Sequence, residues 1–259
     1  MIKSWMKRLM MMRISKYILI ITLSASLVFA GFTVYGARIG NFNIYTNGSD
    51  VQLALYMKED KSDLGSHLSV PVLDNMKDTT FEDIASKDVR RQIMSGLGPK
   101  NDNVHNQYLA FSVVLVNRSE RMVNYDVELT VIASSEGRGG RRVEAAMRVL
   151  IVTERGYNNG SIYESLETDE EREEFFRNAK IYALAEESEE AKEHLKENTY
   201  YETQDFISDI QLLHQDEYDL EIEEEVKYTV LIWLEGWDDD CIDDLYGGKI
   251  KMRLDFRGR

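Results

Sequence analysis

The chain has 259 residues, of which 46 are acidic and 31 are basic, so its formal net charge is −15 at neutral pH. A surface this acidic repels the phosphates of nucleic acids and of anionic lipids, and we expect neither as a partner. The single cysteine excludes an internal disulfide, so stability must come from packing. The roughly 220 residues that follow the leader are enough for one substantial core.

The first 36 residues form a leader that differs from the rest of the chain. Residues 1–16 contain five basic and no acidic side chains, and residues 17–35 are an uncharged run of 19. At 1.5 Å per residue this run covers about 28 Å, close to the thickness of a bilayer core. We predict a cytoplasmic basic segment at 1–16, a transmembrane helix at 17–36 and an extracytoplasmic domain at 37–259. The alternative is a signal peptide cleaved near Ala30, which would release a secreted domain.

The start of the domain predicts a β-hairpin. Phe42 and Ile44 alternate with polar residues in 40–46, and residues 51–57 place apolar side chains at every second position. The Asn47-Gly48 pair between these two runs is a typical hairpin turn.

Residues 78–96 change to a helical period. Thr79 or Thr80 can cap a helix, acidic residues occupy its first turn, and Gly96 can end it. Alternating patterns then predict strands at 107–117 and 123–133, joined as a hairpin, followed by a buried strand at 145–153.

An acidic insertion at 164–205 interrupts the strands. Thr168 and Glu171 have the spacing of a capping box. Carboxylates surround an apolar patch, so we predict one or two surface helices that dock through this patch, made of Phe175, Phe176, Ala179, Tyr182 and Leu184. The alternative is a solvated acidic segment.

The last strands have the clearest patterns. Residues 226–234 are apolar on both faces, as in a central strand covered on both sides. Residues 247–256 alternate strictly, with Ile250, Met252, Leu254 and Phe256 predicted inside and Lys249, Lys251, Arg253 and Asp255 outside. About eight strands with one helix and one insertion predict a mainly β protein, a β-sandwich.

Six carboxylates crowd the connection between these two strands. A calcium ion takes six to eight oxygen ligands, and the candidate ligands are Glu235, Asp238, Asp239, Asp240, Asp243 and Asp244. The spacing does not match an EF-hand loop, and an acidic turn without an ion is the alternative. We predict no other cofactor.

No catalytic motif is present in the sequence. The four histidines do not form H-E-x-x-H, and there is no G-x-S-x-G. The carboxylates around Cys241 should raise the pKa of its thiol, which favours a structural role over a nucleophilic one. We therefore predict that the protein is not an enzyme.

Several segments together resemble uncharacterised exported proteins of Gram-positive bacteria. These are residues 107–131, residues 144–152, and the block from Lys227 to Gly236 with Asp238, Cys241, Gly247 and Gly248. That family is distantly similar to camelysin/TasA-type biofilm-matrix proteins, which implies a jelly-roll β-sandwich. Trp237 and Asp239 replace the Asp-Pro-Asp-Cys rhythm usual in the family, and the insertion is unusually long. The resemblance implies no catalytic residues.

We therefore expect a membrane-anchored extracytoplasmic surface or matrix interaction protein. Its partners would be the membrane, through the leader, and a surface protein or further copies of the chain. Two alternatives remain open, an exported metal-dependent hydrolase and a glycan-binding module that uses Tyr200 and Tyr201.

Overall fold

A computed structural model describes residues 42–48, 51–71, 73, 75–100, 106–185, 193 and 201–259. The predicted segments 1–16 and 17–36 lie outside the described residues. Residues Phe42–Arg259 form one compact unit. Among the described helices, none combines the length and the apolar character needed to cross a bilayer.

The described chain is mainly β, with thirteen strands in two open sheets. The strands are β1 (Phe42–Asn47), β2 (Leu53–Tyr56), β3 (His67–Val70), β4 (Asp78–Thr79), β5 (Gly98–Pro99), β6 (Tyr108–Asn117), β7 (Val123–Ser135), β8 (Met147–Arg155), β9 (Lys180–Ala183), β10 (Thr203–Asp205), β11 (Gln211–Leu220), β12 (Glu225–Glu235) and β13 (Lys249–Gly258). One sheet has the order β11-β7-β13-β1-β3. The other follows β10-β9-β8-β12-β6-β2, with β4 beside β12 and β5 beside β6.

The main core lies between the two sheets, because inward-facing residues of both belong to one buried cluster. In the five-stranded sheet, Ile44 has Leu68 and Leu254 as its cross-strand neighbours. The eight-stranded sheet contributes alternate residues of its central strands, such as Val113 and Val230. The predicted inward set of β13 is confirmed for Met252, Leu254 and Phe256, which are buried, and Ile250 packs against them.

The predicted hairpin of 40–46 with 51–57 is wrong. Strand β1 lies in the five-stranded sheet between β13, to which it is parallel, and β3. Strand β2 lies in the other sheet, paired with β6. With two partners, β1 is an interior strand that buries Phe42 and Ile44, whereas the hairpin partner alone would have left one of its edges unpaired.

The second predicted hairpin, 107–117 with 123–133, is also wrong. Strand β6 pairs with β12 and β2, and β7 pairs with β11 and β13 in the opposite sheet. The buried Asn117 amide holds the crossing connection, because its Nδ2 donates to the carbonyl oxygens of Arg121, at 2.8 Å, and Leu220, at 3.0 Å. These bonds satisfy backbone carbonyl groups of the connection itself and of the end of β11.

The helix predicted at 78–96 is two helices, α1 (Phe81–Ala85) and α2 (Lys87–Met94). Thr80 caps α1, as predicted, by accepting a hydrogen bond from the backbone of Asp83. Ser86 breaks the helix because its ψ is 148°, and its hydroxyl donates to the Asp83 carbonyl at 2.6 Å. Thr79 belongs to β4.

Two further helices are described in and beside the insertion: α3 (Ile162–Ser165), which begins just before it, and α4 (Asp169–Arg177), which lies within it. The predicted capping box of Thr168 and Glu171 is confirmed. The helical prediction for 180–184 is wrong, because residues Lys180–Ala183 form strand β9 beside β8. Ile181 and Tyr182 bury opposite faces of this strand, which a surface helix could not do. Residues 186–192 and 194–200 lie outside the described part.

A second core covers the outer face of the eight-stranded sheet. Strand β12 is central, between β8 and β6, and its Leu231 and Trp233 point away from the main core. Side chains of α1, α2, α3 and α4 pack on this face, among them Phe81, Ile93, Tyr163 and Phe176. The prediction that 226–234 is a central strand covered on both faces is confirmed.

Candidate functional site

The predicted calcium ligands begin at the end of β12, where Glu235 is fully buried. Its Oε2 accepts hydrogen bonds from the Tyr201 hydroxyl at 2.6 Å and from Trp233 Nε1 at 3.1 Å. Its Oε1 accepts from the backbone N–H of Trp237 at 3.3 Å. Both carboxylate oxygens of Glu235 are therefore engaged by the protein.

Asp238 is the second buried carboxylate of this connection. Its Oδ2 lies 2.6 Å from Arg148 Nη2, and the two side chains are only 0% and 1% exposed. Its Oδ1 accepts from the backbone N–H of Asp240 at 2.7 Å. Burial raises the pKa of Asp238, and the Arg148 charge opposes that rise. This ion pair ties the connection to the start of β8.

The other four carboxylates do not gather around these two. Asp239 and Asp243 are exposed, Asp244 is half-buried, and Asp240 forms an ion pair with Arg141. Within the described part of the chain, no three of these six carboxylates lie close enough together to share one ion. Calcium binding here stays a prediction, and it would require rearrangement of Glu235 and Asp238.

Cys241 lies partly buried in this connection. Burial raises the pKa of its thiol to about 12, and the charges of Asp78, Asp238 and Glu235 act in the same direction. The thiol is therefore protonated at neutral pH and is a poor nucleophile. The direction agrees with the prediction from the surrounding carboxylates.

An aromatic cluster seals the same end of the eight-stranded sheet. The ring of Phe81 lies 4.7 Å from that of Tyr201, 5.9 Å from that of Trp233 and 6.0 Å from that of Phe176. The cluster joins α1, α4 and β12 over Glu235. Trp233 and its neighbours therefore belong to the packing of the second core.

A buried ion pair lies farther along the same face. Lys227 of β12 and Glu154 of β8 are 0% and 1% exposed, with Nζ and Oε2 2.9 Å apart. Lys227 also donates to the Met94 carbonyl at 2.7 Å. Glu154 Oε1 accepts from the Ser161 hydroxyl at 2.7 Å and from the Tyr163 backbone at 2.9 Å. The pair fastens α2 and α3 to the sheet.

Lys227 itself is the sequence signal for this pair. Lys227 interrupts a strand that is apolar on both faces, and a lysine at such a position must find a buried partner. The partner lies on another strand, so only the pairing of β8 with β12 identifies it.

The outer face of the five-stranded sheet, called the open face below, is different in character. Cross-strand pairing arranges its side chains in three rows, which are Ser69, Asn43, Arg253, Thr130 and Gln211; His67, Tyr45, Asp255, Glu128 and His214; and Asn47, Arg257, Asp126 and Asp216. None of these residues belongs to either hydrophobic core of the described chain. Polar groups, two histidines and one tyrosine therefore line this face.

Contacts within the open face hold its side chains in place. The rings of Tyr45 and His67 stack with centroids 4.5 Å apart. Arg253 lies 2.6 Å from Asp255, and Arg257 lies 3.2 Å from Glu128. Asp255 was predicted outside and does face outward, yet it is only 1% exposed because Arg253 and Asn47 cover it.

Strand β11 was not predicted, because its sequence QLLHQDEYDL is mostly polar. The placement of His214 and Asp216 opposite β7 was therefore missed.

Comparisons with protein-family models, with curated proteins and with solved structures gave no match to this chain.

Proposed function

We propose that this chain is a membrane-anchored extracytoplasmic surface or matrix interaction protein, and that the open face contacts its partner. The observation that supports this proposal is the difference between the two outer faces. One is covered by helices and an aromatic cluster. The other presents ordered polar side chains that lie outside both cores.

The composition supports export and a protein or polymer partner rather than a nucleic acid. The five basic residues of the leader are among the 31 of the chain, so residues 37–259 carry about −20. The open face mixes Arg253 and Arg257 with Asp126, Glu128 and Asp216, which suits a partner that offers both charges. That partner is a surface protein or another copy of this chain.

The jelly-roll-like arrangement and the distant relationship to camelysin/TasA-type matrix proteins belong to the same proposal. Two packed sheets and a mainly β chain are compatible with both. The parallel pairing of β1 with β13 departs from a purely antiparallel jelly roll.

The absence of catalysis is also proposed. It is supported by the lack of a catalytic motif in the sequence and by the protonated state of Cys241. Casein cleavage by the purified protein, abolished by a chelator, would instead favour the metal-dependent hydrolase. Saturable binding to purified cell-wall polysaccharide, in the absence of other protein, would favour the glycan-binding module.

Binding to cells tests the interaction surface. A labelled fragment of residues 37–259 is added to cells that lack the protein, and bound label is measured against concentration. We expect saturable binding that falls strongly in His67→Ala/Arg257→Ala, two exposed positions of the open face. Arg118→Ala is the matched control, because Arg118 is equally exposed but lies outside the three rows. Equal loss in both variants, or none in either, would reject the open face.

A further inference from the structure

Three potential metal ligands converge where β7 and β11 pair on the open face. Asp126 and Asp216 are direct cross-strand partners, and His214 lies two residues before Asp216. One ligand atom from each of the three lies within 4.8 Å of the others. His214 Nε2 is 3.6 Å from Asp216 Oδ1. The described residues contain no other such group of His, Cys, Asp or Glu.

Two carboxylates directly opposite each other on paired strands repel, so this arrangement needs a cation. Arg259 supplies one, because its Nη2 lies 2.5 Å from Asp216 Oδ1 and 2.5 Å from Asp126 Oδ1. The remaining cation nearby, Arg257, faces Asp126 from β13 but pairs with Glu128 at 3.2 Å. A single guanidinium therefore serves both aspartates.

The guanidinium satisfies these two carboxylates unequally. Its Nη2 donates a hydrogen bond to Asp216 Oδ1. Its contact with Asp126 is an ion pair only, and Asp126 Oδ1 accepts no hydrogen bond from any described group. Asp126 is only 7% exposed. A buried carboxylate oxygen is thus aimed at the cluster without a hydrogen bond, which is costly unless a cation compensates.

We propose that Asp126, His214 and Asp216 form a binding site for one divalent transition-metal ion, and that Arg259 takes the cation position when no metal is bound. One imidazole nitrogen with two carboxylates suits zinc or manganese, whereas calcium and magnesium prefer oxygen ligands alone. The side chains of His214 and Asp216 are 36% and 44% exposed, so further coordination positions face solvent. The site goes beyond the proposed function and does not depend on it.

Calorimetric titration of full-length protein in detergent with zinc chloride, without an affinity tag, tests the site. We expect one ion bound through this cluster. His214→Ala and Asp126→Asn should each weaken binding by at least about tenfold, a loss that even outer-shell changes can cause. Arg259→Ala should tighten binding, because the metal then displaces no guanidinium. His67→Ala, a histidine on the same face but outside the cluster, should leave binding unchanged.

Circular dichroism of each variant establishes that it is folded before its affinity is compared. The proposal is overturned if neither the unaltered protein nor Arg259→Ala binds zinc. It is also overturned if His214→Ala and Asp126→Asn both bind zinc as tightly as the unaltered protein. If His105→Ala or His194→Ala then removes the binding, the zinc lies elsewhere and the proposal is equally overturned. Because the titration involves zinc alone, its outcome is independent of whether the open face contacts a partner.

Discussion

Replacing Lys227 with methionine is the sharpest test of how the covered face is held together. The change keeps most of the side-chain volume but removes the cation that lies 2.9 Å from Glu154. Glu154 would keep its hydrogen bonds from Ser161 and Tyr163. Its charge would then be buried, at 1% exposure, without a counter-ion.

The expected cost is large because removing one partner of a buried ion pair typically destabilises a protein by about 3–5 kcal/mol. The Met94 carbonyl also loses the donor that lies 2.7 Å away. An orphaned buried acceptor adds about 1–3 kcal/mol. We therefore expect Lys227→Met to lower the free energy of unfolding by at least about 3 kcal/mol.

Urea unfolding of the fragment 37–259, followed by tryptophan fluorescence, measures this cost. The matched control is Arg118→Met, because Arg118 and Glu223 form an ion pair at 50% and 58% exposure. Its expected cost is below about 1 kcal/mol. Adding Glu154→Gln to Lys227→Met should recover part of the loss, since it removes the unpaired charge. A Lys227→Met loss no larger than the control's would refute this reasoning.

Three further predictions concern other parts of the fold. Cys241 in the folded protein should react with iodoacetamide at pH 8 far more slowly than a free thiol, because its pKa is raised to about 12, and unfolding in urea should remove the difference; equal rates would contradict the buried environment. Asn117→Ala should cost about 2 kcal/mol or more in urea unfolding, because the carbonyl groups of Arg121, Leu220 and Glu221 lose their donor, and a cost near zero would show that water replaces the amide. A chain that begins at Asp50 lacks β1, so β13 and β3 lose their shared neighbour and the melting temperature should fall, with a synthetic peptide of residues 38–48 restoring it; an unchanged melting temperature without the peptide would show that β1 is dispensable.

Local patterns in the sequence correctly predict features that depend on a single strand or a single helix end. The double apolar face of β12, the inward set of β13 and the Thr168 capping box depend on side chains close in sequence. The pKa of Cys241 is raised mainly by burial, and the carboxylates of Asp238 and Glu235 in the same connection act in the same direction, as their proximity in the sequence predicts.

Local sequence patterns do not show which distant segments pair with each other. The sequence predicts a hairpin of β1 with β2 because an Asn-Gly pair is a strong turn signal. In the structure β1 instead forms hydrogen bonds along both of its edges, with β13 and with β3. The Lys227–Glu154 pair and the Asp126–His214–Asp216 cluster each need two strands in register. Strand β11 is mostly polar and owes its place to pairing with β7, which no local pattern indicates.

The most direct test of the central claim is cysteine labelling on cells with a membrane-impermeant maleimide. Ser69→Cys places a thiol on the open face, and Ser95→Cys places one at the end of α2 on the covered side, both at exposed positions. On wall-stripped cells we predict that both thiols are labelled without lysis. On intact cells the Ser69→Cys thiol should react several times more slowly than the Ser95→Cys thiol, because a partner occupies the open face. Labelling that requires lysis would contradict export, and equal rates on intact cells would contradict the open face as the interaction surface.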